Sequence, residues 1–129
     1  MSRHESRIKQ AVKVASSSDY RWKHGAVVVR GGRVIGFAPN KFRNAPEVDA
    51  ANVTDHAEAA IIRELLKNYP DLRNSVIYIA RVSNSGQTRM SRPCANCMKL
   101  IVDAGIKEIV YTNDINGYSV EQIRSLAIG

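Results

Sequence analysis

Cysteine is nearly absent from this chain: there are two among 129 residues, Cys94 and Cys97. Two thiols three positions apart cannot build the disulfide framework of a small secreted domain. Long apolar runs are missing as well. A membrane-spanning helix needs about 18 or more consecutive apolar residues, so no membrane partner is expected. The segment Met1-Ser2-Arg3-His4-Glu5-Ser6-Arg7 is charged and no apolar core follows it, unlike a secretory leader; a cytoplasmic protein is expected. Aromatic residues make up only 6%, thin for a surface that stacks on successive bases of a single strand. Acidic residues are outnumbered, 12 against 19 basic, for a net charge of +7. Such a balance favours anionic partners through long-range attraction. Internal repeats and low-complexity tracts are lacking too.

What the chain does have is a 44% hydrophobic content, enough for one core, and a single domain over residues 1–129 is expected. Ile8, Ala11, Val12 and Ala15 recur at helical spacing between Arg3 and Ser17. Gly25-Ala26-Val27-Val28-Val29 reads as a buried strand, Gly31-Gly32 as a hairpin turn, and Val34-Ile35-Gly36-Phe37 as the returning strand. Pro39 to Val53 reads as a loop of functional length. Thr54 or Asp55 is the expected N-cap of a helix through Ile61, Ile62, Leu65 and Leu66, closed by Pro70. A strand over Ser75 to Val82, a polar loop from Ser83 to Arg92, a helix from Cys94 to Ala104 stopped by Gly105, and a strand at Ile109-Val110-Tyr111 follow. Val120 to Ala127 is expected to form a last short helix; a fifth strand before the C-terminus is weakly signalled. Strands alternating with helices imply right-handed parallel crossovers. The expected fold class is α/β: a three-layer sandwich with a mixed sheet of about five strands flanked by helices.

Most of the chemistry lies in His56-Ala57-Glu58 and Pro93-Cys94-Ala95-Asn96-Cys97. These supply one imidazole, two thiols and one further carboxylate. Three protein ligands leave a fourth zinc position open, which is the catalytic rather than the structural arrangement. His56, Cys94 and Cys97 are the candidate metal ligands for Zn2+, and no third cysteine is present to close the site. Both motifs begin helices, where partial positive charge favours thiolate over thiol. The i, i+3 spacing brings the two sulfurs to one face. Glu58, two residues beyond His56, lies too far round the helix to share the metal, and can instead move protons as the candidate catalytic residue. Each piece alone has a plainer reading: Cys94 and Cys97 as a redox dithiol, His56 as a structural histidine, Glu58 as a first-turn dipole partner or a cap with Asp55.

Taken together, H-x-E and P-C-x-x-C resemble the pattern of zinc-dependent nucleobase deaminases. With Gly25-Ala26-Val27-Val28-Val29, Asn40 and Ala104-Gly105-Ile106-Lys107-Glu108-Ile109-Val110-Tyr111, the resemblance to the cytidine/deoxycytidylate deaminase superfamily covers nearly all of the chain. It implies a five-stranded sheet flanked by helices, one zinc per subunit, and a homo-oligomer. A histidine as first ligand is similar to the deoxycytidylate, tRNA-adenosine and polynucleotide-cytosine branches, in which the last two strands run parallel, as suits a helix between them. The resemblance implies that Asn40 holds the sugar and that the Ala57 backbone orients the base. The chain departs from many relatives in carrying Arg92 where they have glutamate before the proline. Its loop from Lys41 to Asp55 is also shorter than in many deoxycytidylate deaminases and has no extra histidine or cysteine for a second metal.

Basic residues gather near the expected mouth: Lys41 and Arg43 after Asn40, Arg89 and Arg92 before Pro93. A guanidinium fork suits phosphate, so Arg43 and Arg92 are candidate substrate contacts and a phosphate-bearing small-molecule nucleotide is the expected substrate. The leading expectation is zinc-dependent hydrolysis of deoxycytidylate to deoxyuridylate and ammonia. The alternatives are a cytosine or adenine base deaminase acting on single-stranded DNA, RNA or tRNA, and a non-catalytic nucleic-acid-binding module with structural zinc.

Overall fold

In a computed structural model, residues 3–18, 23–42, 54–114 and 117–123 are described. Helix α1 (Arg3–Ser16) buries Ile8, Ala11 and Ala15. Strands β1 (Lys23–Arg30) and β2 (Arg33–Pro39) form an antiparallel hairpin. Its turn residues Gly31 and Gly32 have φ of 59° and 76°, a left-handed pair whose twist matches that of the strands. The short strands β3 (Lys41–Phe42) and β4 (Thr54–Asp55) pair with each other. Helix α2 (Ala57–Leu65) comes next, then β5 (Ser75–Val82), β6 (Thr88–Arg89), α3 (Ala95–Ala104), β7 (Glu108–Thr112) and β8 (Tyr118–Gln122).

The main sheet runs β2-β1-β5-β7-β8, with β6 added to β5. Neighbours are antiparallel except β5 and β7, which are parallel across α3. The mixed, helix-flanked sheet of the α/β expectation is therefore present. Alternation along the strands separates two cores. Ala26 and Val28 of β1 with Ile77 and Ile79 of β5 face α2 and α3, where they meet Ile61, Ile62, Leu65 and Ile101. Val27, Val29, Val76, Tyr78, Ala80 and Val82 face α1. At about 1.5–3 kcal/mol for each large apolar side chain taken out of water, these two layers hold the helices on the sheet. Gly25 lets α1 approach β1 closely: a Cβ there would lie 2.4 Å from the Ala15 backbone nitrogen.

The C-terminal region differs from its expectation. Tyr118–Gln122 is a strand antiparallel to β7, so a helix from Val120 is absent through Gln122; residues 124–129 lie outside the described ones. The helical spacing of Val120 and Ile123 is overridden by pairing with β7, which would otherwise present an open edge. Asn113 N–H donates to Gly117 O at 3.1 Å, and the chain returns antiparallel. The last two strands are accordingly not parallel, contrary to what the branches with a histidine ligand imply. The α2 start differs as well. Thr54 and Asp55 are extended in β4, and the N-cap is His56, without a side-chain capping bond. Strand pairing occupies the segment that a cap would need. Of the expected loop from Pro39 to Val53, Pro39 closes β2, Lys41 and Phe42 form β3, and residues 43–53, Arg43 among them, lie outside the described residues.

Candidate metal centre and active site

Two helix starts on one face of the sheet build the centre. His56 caps α2 and Cys94 caps α3, which puts Cys97 in the first turn of α3. The His56 Nδ1 lies 3.3 Å from Cys97 Sγ and 4.0 Å from Cys94 Sγ. One ligand atom from each of the three residues falls within 4.8 Å of the others, a span that one ion can bridge. Cys97 is buried; His56 and Cys94 are exposed, leaving the outer side open.

The electrostatics of the donor set suit a cation. Burial pushes the Cys97 thiol well up, and the Glu58 and Cys94 charges push it the same way. A helix N-terminus alone does not outweigh that burial; a bound divalent ion would deprotonate the thiol outright. Glu58 stands in α2 with its carboxyl buried, and its Oε1 has no hydrogen-bond partner among the described residues. Burial raises its pKa, partly countered by its own backbone N–H and by His56. An orphaned buried carboxylate oxygen is costly unless something binds to it. The three donors and this oxygen therefore fit a metal with a reacting group beside it. His56, Cys94 and Cys97 could hold a metal ion.

The segment leading into Cys94 is tied down from several sides. Buried Ser91 Oγ contacts Ile79 O at 3.0 Å and Thr112 Oγ1 at 2.8 Å, and Ser91 N–H donates to Thr112 O at 3.0 Å. Arg92 grips Glu121 of β8 with both arms, Nε at 2.7 Å and a terminal nitrogen at 3.1 Å, and Tyr111 donates its hydroxyl to the same carboxylate at 2.7 Å. The Arg92 fork is thus directed at a carboxylate of the chain itself. Asn40 is buried opposite His24: its Oδ1 accepts from His24 N–H at 2.9 Å and its own N–H donates to His24 O at 3.0 Å. Ala57 is fully buried at the first turn of α2, where helix N–H groups lack intrahelical acceptors.

Sequence reasoning missed Ser91, Tyr111 and Glu121, and it missed His24 and Arg81. The last two were legible through strand parity. His24 shares its face of β1 with Ala26 and Val28, and Arg81 its face of β5 with Ile77 and Ile79, the face of α2 and α3. Burial, then Arg81, then His56 push the His24 imidazole down to about 4, so it is uncharged at neutral pH.

The Arg92 clamp carries a pH signature. The Arg92 hydrogen bond, followed by that of Tyr111, holds the Glu121 carboxyl below its ordinary value. Its stabilisation is then present above the unfolded-state pKa and lost as pH falls through the folded-state one. Glu121→Gln is expected to cost about 0.5–1 kcal/mol at pH 7, as half-exposed ion pairs do. The difference from wild type should vanish in urea titrations run well below the carboxylate range.

A layered sheet with two helix starts converging on a His-Cys-Cys set, and a buried glutamate two positions from the histidine, is the arrangement expected of zinc-dependent nucleobase deaminases. The family model described as the cytidine and deoxycytidylate deaminase zinc-binding region matches residues 1–113, and the chain belongs to that family. Among solved structures, the apo dCMP deaminase from the cyanophage S-TIM5 is similar at 25% identity, over 91% of this chain and 89% of its own, with a TM-score of 0.67. The cytidine deaminase from Burkholderia pseudomallei shares the fold at 20% identity, over 98% and 96%, with a TM-score of 0.72. That from Mycobacterium leprae does so at 21%, over 98% of each chain, with a TM-score of 0.64. No curated protein matches the chain. No helix among the described residues is long and apolar enough to cross a membrane.

Proposed function

We propose that this chain hydrolytically deaminates a cytosine nucleotide, converting deoxycytidylate to deoxyuridylate and ammonia. The observation that carries this reading is the buried Glu58 carboxyl, with Oε1 unpartnered among the described residues, two positions from a ligand histidine that meets two thiols. Zinc, when bound by His56, Cys94 and Cys97, supplies positive charge and a water made nucleophilic near neutral pH. Glu58 takes the proton of the attacking water, passes it to the ring nitrogen of the pyrimidine, and then helps the amine leave. The first-turn backbone at Ala57 orients the base, and Asn40, its amide fixed by the His24 backbone, holds the sugar. The dCMP deaminase likeness at 25% identity supports deoxycytidylate as substrate. Arg43, outside the described residues, belongs to this reading as a phosphate contact, and Arg92 does so on exchanging Glu121 for the phosphate.

The bidentate bond of Arg92 to Glu121 favours a second reading, a free cytosine nucleoside, because it satisfies the fork that a phosphate would take. We further place the enzyme in the cytoplasm, as a single domain over residues 1–129 and as a homo-oligomer. The deciding experiment offers the zinc-loaded protein deoxycytidylate, deoxycytidine, cytidine, adenosine and single-stranded oligonucleotides, and follows ammonia. Deoxycytidylate is expected to give the highest kcat/KM. Selective turnover of oligonucleotides that collapses as salt rises would contradict it.

A further inference from the structure

Between β5 and Pro93 the chain makes an excursion. It turns where Ser83 N–H donates to Gln87 O at 2.9 Å, then runs back along β5 as β6. Connecting segments are the mobile parts of a fold, so a metal ligand at the end of one needs a fixed point. Ser91 is that point. Its N–H donates to Thr112 O at 3.0 Å, and its hydroxyl lies 2.8 Å from Thr112 Oγ1 and 3.0 Å from Ile79 O. Thr112 is a junction in turn: its hydroxyl donates to Arg89 O at 2.7 Å and accepts the Arg81 N–H at 3.2 Å. Ile79 and Tyr111 are the last residues of β5 and β7 in register, so the two hydroxyls take over where backbone pairing stops. Both side chains are buried, and neither hydroxyl has bulk water to fall back on.

From Ser91 to the first thiol the chain has little freedom. Arg92 and Pro93 alone intervene; a proline fixes its own φ at about −65° and restricts the residue before it, and Pro93 is buried. Cys94 is the extended N-cap of α3 and has no side-chain capping bond; Cys97 is buried within the helix. The helix holds Cys94 through its carbonyl, which accepts the Met98 N–H at 2.8 Å. We propose that Ser91 and Thr112 are positioning residues for zinc: their joined hydroxyls set the exposed Cys94 thiol where one ion spans it, Cys97 and His56. Arg92, half exposed, can change partners while the buried junction keeps Cys94 in place.

The test compares Ser91→Ala, Thr112→Val, which keeps shape without the hydroxyl, and Thr112→Ser, which keeps the hydroxyl. Zinc Kd is measured by competition with a chromophoric chelator, and the cobalt(II)-substituted proteins are read by their thiolate charge-transfer absorption. Ser91→Ala and Thr112→Val are expected to weaken zinc about tenfold or more, within the cost of losing an outer partner of a metal ligand, and Thr112→Ser by less than about threefold. The cobalt absorption should fall in the first two variants and hold in the third. Val29→Ala, in the core on the α1 face, is the comparison: it should lower the urea midpoint and leave zinc Kd unchanged. Wild-type zinc affinity at a lowered urea midpoint in Ser91→Ala and Thr112→Val, the mark of a purely structural role, overturns the proposal. So does a Thr112→Ser as damaging as Thr112→Val. Where Ser91→Ala does not fold, the Thr112 pair decides by the same readings. These readings concern the metal alone, so either result leaves the proposed substrate standing.

Discussion

Glu58→Gln is expected to lower kcat by about 10²- to 10⁴-fold, the usual worth of a positioned general acid–base group, while zinc content stays at wild-type level. The amide keeps the size of the carboxyl but cannot take and return a proton. KM should change far less than kcat, the pattern of an interaction needed in the transition state. Stability at neutral pH should fall little, because the amide is isosteric and carries none of the charge that burial disfavours at this position. A Glu58 with only a structural part would give the reverse: near-normal kcat and a lower unfolding midpoint. Parallel measurements of single-turnover rate, bound zinc and urea unfolding separate the two.

Cys97→Ser is expected to remove most of the bound zinc and, with it, activity. Cys97 is the buried thiol of the set and its Sγ is the closer of the two to His56 Nδ1. A hydroxyl there is a much poorer zinc donor than a thiolate. The same variant tests the coupling of metal to folding. A ligand held a thousandfold above its Kd stabilises a fold by about 4 kcal/mol, so wild type should lose that increment when a chelator is added. Cys97→Ser should unfold at the same midpoint with and without chelator. A Cys97→Ser protein that keeps stoichiometric zinc would place the metal elsewhere.

The centre was legible in the sequence because its chemistry is local. An H-x-E motif and a C-x-x-C motif each put their groups at a helix start, and helix starts follow from short-range signals. Only the bond to His56 across the helices, 3.3 Å from Cys97 Sγ, needed the fold. The hairpin of β1 and β2 was legible for the same reason, through Gly31 and Gly32. Strand β8 was not, since Val120 and Ile123 mimic a helical period over a segment too short to discriminate, and the partner that decides the matter is the edge of β7. Asn116-Gly117 just before Tyr118 was the available turn signal. Glu121 and Arg92 lie far apart in the chain, so the clamp that occupies the Arg92 fork depends wholly on β8 being a strand. Arg81 went unread because a terminal arginine on an apolar strand looks like a solvated end, and only the alternation with Ile77 and Ile79 assigns it to the face of the metal centre.

The central claim, zinc-dependent hydrolysis at the amino carbon of cytosine, is tested most directly by turnover in oxygen-18 water. The product is read by mass spectrometry, with ammonia measured alongside. The account predicts one labelled oxygen in each uracil product, ammonia in equal amount, and loss of both when zinc is removed and their return when it is restored. Zinc-replete, folded protein that releases no ammonia, or product formed without the solvent label, would contradict it.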